Sequence, residues 1–98
     1  MKVYKIAADI LVPTGFSPNG DGINDIFRPI PIGMRSLDVF RVYNRWGQML
    51  YAGTDPNGGW DGKFGGSVQE PGTYVWYAEG IDYKNTRIKK KGYVVLIR

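Results

Sequence analysis

Asn19, Asp21 and Asp25 come nearest, by residue type and spacing, to a chemical site. Amide and carboxylate oxygens alternating with glycines suit a hard cation such as Ca²⁺ or Mg²⁺. The EF-hand pattern tests that reading. With Asn19 and Asp21 at ligand places three and five, Ser17 falls at place one and Arg28 at place twelve. The bidentate carboxylate that closes such a loop is missing, and Ile23 comes one residue early for the hydrophobic position. The stretch from Phe16 to Phe27 therefore reads first as a rigid turn. Gly20 and Gly22 tolerate left-handed backbone, Asn19, Asp21, Asn24 and Asp25 can bond their own main chain, and Pro18 fixes φ. Calcium held by Asn19, Asp21 and Asp25 is the cation alternative, and no other cofactor is expected.

Side chains for catalysis are scarce. The chain has no Cys and no His, which removes thiol nucleophiles, disulfides, zinc–thiolate sites and the usual base near neutral pH. Asp61 and Glu70 are the candidate carboxylate pair, but nothing in their spacing brings them together. Ser17, Ser36 and Ser67 lack an ordinary base to activate them. The expectation is a non-enzyme without catalytic residues.

The remaining candidates are surfaces. Six of the 13 basic residues lie from Lys84 onward: Lys84, Arg87, Lys89, Lys90, Lys91 and Arg98. Lys89-Lys90-Lys91 reads as protection of a sheet edge or as a docking patch for an acidic surface. It is too short for a nucleic-acid stripe, and no nucleic acid is expected. Trp76 reads as core, while Trp46 and Trp60, beside turn glycines, are expected to pin loops to the ends of the fold. No run approaches the ~18 apolar residues of a membrane span, so no membrane insertion is expected. The apolar start at Met1 is broken by Asp9 before it reaches signal-peptide length.

Short strands must position these residues. Gly (14) and Pro (6) cut the 98 residues into pieces too short for a helix. Ile10–Val12 reads as an edge strand and Ile26–Ile32 as an irregular one. Leu37–Asn44 places Phe40 and Val42 on one face, turns at Asn44-Arg45-Trp46-Gly47 and returns through Gln48–Tyr51. Thr73–Ile81 alternates, with Tyr74, Trp76 and Ala78 on one face. The segments Thr86–Lys90 and Gly92–Ile97 read as one strand bulged at Gly92. The fold expected is all-β: an antiparallel Ig-like β-sandwich of about seven short strands.

Several pieces together resemble one family. Phe16 and Pro18-Asn19-Gly20-Asp21-Gly22-Ile23-Asn24-Asp25, then Phe27, match its opening motif. Asn44-Arg45-Trp46-Gly47, Trp60-Asp61-Gly62, Pro71-Gly72 with Tyr74, and the closing Leu96-Ile97-Arg98 match the rest. The chain resembles the C-terminal sorting domain of the type IX secretion system in its type B, gliding-motility-associated form, found in Bacteroidota. The resemblance covers residues 10–98, and residues 1–9 are read as a linker or cloning-derived lead-in.

The resemblance implies a β-sandwich that directs a larger exported protein to the cell surface or medium. It implies docking to outer-membrane translocon or PorP-like partners. Recognition is expected at loop tips and at the terminal strand, through Lys89, Lys90, Lys91, Leu96, Ile97 and Arg98. The motif residues Phe16, Pro18, Asn19, Asp21, Asn24, Asp25, Asn44, Arg45, Trp46, Gly47, Trp60, Asp61 and Gly62 are expected to be mainly scaffold. The alternative is a carbohydrate-binding or structural Ig-like module of a surface adhesin.

Overall fold

A computed structural model describes residues 8–20, 22, 25–55 and 58–97. Its elements are β1 (Asp9–Leu11), β2 (Gly15–Phe16), β3 (Ile30–Ile32), β4 (Met34–Tyr43), β5 (Met49–Ala52), β6 (Lys63–Phe64), β7 (Ser67–Val68), β8 (Gly72–Asp82) and β9 (Arg87–Leu96). Among the described residues no helix is long and apolar enough to cross a membrane.

Three long strands carry the fold. β4, β8 and β9 form the middle of a five-stranded sheet ordered β2-β9-β8-β4-β5. Their sequences alternate over much of their length, and one face collects most of the apolar side chains. Phe40 and Val42 on β4, Tyr74, Trp76 and Ala78 on β8, and Val94 and Leu96 on β9 are all buried on one face. Period-2 alternation places successive side chains on opposite faces, so this parity supplies the large sheet's side of the core.

The second layer is smaller. β1 and β3 pair antiparallel and bring Ile10 into the core. Beside them, Phe27 and Trp60 form an isolated antiparallel bridge, with hydrogen bonds in both directions at 2.8 and 2.9 Å. Both side chains are almost fully buried. Their rings meet the large sheet through Phe16–Phe27 and Phe27–Phe40 contacts at 5.5 Å and a Trp60–Tyr74 edge contact at 4.9 Å. The expected all-β sandwich is therefore present, with its layers unequal in size.

Three details differ from the sequence reading. The β2–β9 pair is parallel, Gly15 to Val95 and Phe16 to Leu96, so the large sheet is mixed. The region between Gly53 and Gly66, read as loop, contains part of a β6–β7 hairpin turned at Gly65-Gly66. Finally, β9 pairs with β8 from Arg87 to Leu96 without a bulge at Gly92. Gly92 sits opposite Trp76, where an added Cβ would stand 2.9 Å from the indole. The glycine is there to let the ring lie against the neighbouring strand.

Candidate functional site

Among the described residues of the opening loop, the Asp25 carboxylate holds the turn. Asp25 accepts the Gly20 N–H on Oδ1 at 3.0 Å and the Gly22 N–H on Oδ2 at 2.7 Å. Asn19 N–H bonds the Ser17 carbonyl at 2.8 Å. Both oxygens of Asp25 are thus engaged in closing the turn. Asp21 and Asn24 lie outside the described residues. Among those described, no group of three or more acidic side chains is placed to hold a metal.

Trp60-Asp61-Gly62 is likewise constructed as a support. Trp60 donates its indole N–H to the Lys63 carbonyl at 2.8 Å, and Asp61 Oδ1 accepts the Lys63 N–H at 3.0 Å. Gly62 accepts the Gln69 N–H at 2.9 Å, tying the β6–β7 hairpin back to the core. Tyr74 donates to the Glu70 carbonyl at 2.6 Å and fixes the turn before β8. Glu70 lines the cleft beside Trp46, whereas Asp61 does not, so the cleft holds no pair of these two carboxylates.

The turn between β4 and β5 combines a scaffold and a display. Asn44 Oδ1 accepts from the Trp46 N–H at 2.9 Å and the Gln48 N–H at 3.0 Å, and its Nδ2 donates to Gln48 Oε1 at 3.1 Å. Gly47, at φ +83°, donates to the Asn44 carbonyl at 3.0 Å. A non-glycine residue rarely adopts that backbone. Asn44 and Gly47 close the turn.

Trp46 differs from both. It is 79% exposed, which overturns the expectation that it pins a loop. Its indole has nothing to pin because the side chain projects from a turn already closed by Asn44. The Arg45 guanidinium lies over its ring, 5.0 Å from the centroid. Arg45 and Trp46 border a cleft of about 670 Å³ whose other walls include Val68, Glu70 and Thr73. Residue types alone marked the turn. Which side chains it presents depended on Asn44 consuming its own polar groups.

The basic run on β9 does not form one patch. Lys90 faces Ala78 across the ladder, on the core side, and pairs with Asp9 of β1 at 2.5 Å. That hydrogen bond, followed by the one from the Ile10 N–H, holds the Asp9 carboxyl below its ordinary value. Lys89 and Lys91 have the opposite parity and stand across from Glu79 and Tyr77 on the outer face. There Tyr77 donates to Glu79 at 2.5 Å, which lowers the Glu79 pKa and raises that of the phenol. Arg87 bridges Glu79 and Asp38 at 3.2 and 3.5 Å.

Of the terminal residues expected to meet a partner, Leu96 is 1% exposed and belongs to the core. The ladder parity that exposes Val95 turns Leu96 inward. Ile97 is exposed, and Arg98 lies outside the described residues. Sequence reasoning did not single out the apolar surface continuing from Ile97. Tyr93, Val95 and Met49 are exposed, with Val75 and Tyr43 half-buried behind them. They share the outer face with Lys89 and Lys91, and no second layer covers it among the described residues.

The sequence matches one family over nearly its whole length. The model of the CHU_C type IX secretion signal domain matches residues 10–96. No curated protein and no solved structure matches the chain significantly. Such a domain marks the protein that carries it for export to the cell surface or medium. A match over nearly the whole length, on an all-strand fold whose motif residues close its turns, makes this chain a member of the CHU_C type IX secretion signal domain family.

Proposed function

We propose that this domain is a non-catalytic address, read as a rigid body by the outer-membrane translocon or a PorP-like partner of the type IX system. One observation carries the reading: the large sheet presents an uncovered face in which an apolar strip adjoins a basic one. Tyr93, Val95 and Ile97 supply the apolar strip, while Lys89 and Lys91 supply the basic one. An exposed apolar patch rimmed by charge is typical of a docking surface. The stiff turns around it suit docking, because a preorganised surface loses little entropy on binding. The cations call for an acidic partner.

The 98-residue chain, fused behind a reporter with a signal peptide in the native host, tests this. Truncating β9 would remove the core residues Val94 and Leu96, so point variants are used. Lys89→Glu with Lys91→Glu is expected to lower export about tenfold through like-charge repulsion while the domain stays folded. Export equal to that of the unaltered fusion would exclude this face as the docking surface.

A further inference from the structure

The hairpin tip supports a second contact, whose interpretation rests on the docking function just proposed. We infer that Arg45 and Trp46 form an anchor that inserts into an apolar slot of the secretion apparatus carrying a carboxylate at its rim.

The argument starts from what the tip lacks. Trp46 is 79% exposed, an unusual placement for the largest apolar side chain. It contributes nothing to the core. The turn that presents it is closed by Asn44, whose side chain makes three hydrogen bonds within the turn. Order has been imposed on a residue that does not reward it with burial.

Hydrogen-bonding chemistry then selects the occupant. The Trp46 indole N–H and the Arg45 guanidinium are donors only. Among the described residues no carboxylate pairs with Arg45 and no acceptor takes the indole N–H. The acceptor side chain nearest in sequence, Asn44, is spent on the turn. The tip is thus a flat apolar knob carrying unpaired donors and one positive charge. Its complement is an apolar slot with acceptors, and a desolvated guanidinium requires an acid among them. Trp and Arg are also among the residues enriched at the energetic centres of protein interfaces. Val68, 57% exposed on the facing wall of the cleft, extends the apolar footprint.

The same reporter fusion separates this contact from the reading beneath it. Trp46→Ala and Arg45→Glu are expected each to lower export about tenfold or more, as loss of an anchor residue does. Both should leave the melting temperature of the purified domain unchanged. Trp46→Phe should retain part of the export. Wild-type export by either Trp46→Ala or Arg45→Glu would overturn the paired anchor while leaving the sorting role intact. Retention of the unaltered fusion in the periplasm would overturn the sorting role itself. If Trp46→Ala lowers the melting temperature, the tip is structural after all and the inference fails.

Discussion

Trp60 and Trp46 are the same side chain in opposite surroundings, and substitutions should separate them. Trp60 is 1% exposed and touches Phe16 and Tyr74. Replacing it with Ala should cost about 3–5 kcal/mol in urea unfolding, the usual loss for a large buried aromatic. Trp46→Ala should change the same measurement by less than about 0.5 kcal/mol, as surface substitutions do. Equal losses would mean that the tip is packed. Asp25 offers a third contrast. Its two backbone hydrogen bonds close the opening loop, so Asp25→Ala should lower stability by about 1 kcal/mol. The motif residues were legible as turn-formers from their types. Their burial was not, because a tryptophan beside a glycine reads the same whether its ring folds inward or outward.

Strand β9 shows what alternation does to a charge run. Lys90 is directed to Asp9, while Lys89 and Lys91 go to the outer face. The Asp9 and Glu79 carboxyls are both held below their ordinary values, chiefly by hydrogen bonds from Lys90 and from the Tyr77 hydroxyl respectively. A lowered carboxyl pKa contributes stability that is present above the unfolded value and lost as pH falls through the folded one. Thermal stability should therefore fall on acidification below the ordinary Asp value of 3.8. Asp9→Asn should flatten part of that acid limb, and an unchanged limb would show that the β1–β9 bridge is not formed in solution. Gly92→Ala should cost about 1–3 kcal/mol through overpacking against Trp76, read in the same unfolding measurement. The long strands β4 and β8 were legible because their alternation runs for many residues. The two-residue strands β2, β6 and β7 carry no period to detect. The parallel β2–β9 pair depends on contacts across nearly the whole chain, which local pattern cannot reveal.

As a whole, the molecule joins a stiff sandwich to two exposed surfaces, an open sheet face and a projecting hairpin tip. Among the described residues its buried side-chain polar atoms all have hydrogen-bond partners. Those buried polar groups are spent on holding shape, and a preorganised surface loses little entropy on binding. The fold class and family were readable from motif order; the surfaces were not, because they depend on which faces the sandwich leaves uncovered. The most direct measurement is the location of a signal-peptide reporter carrying this 98-residue chain in the native host, beside the same fusion with Trp60→Ala. The unaltered fusion should reach the surface or medium, and the core-broken one should be lost from both. A folded, unaltered fusion held in the periplasm, or export indifferent to the broken core, would contradict the claim that a folded contour is the signal.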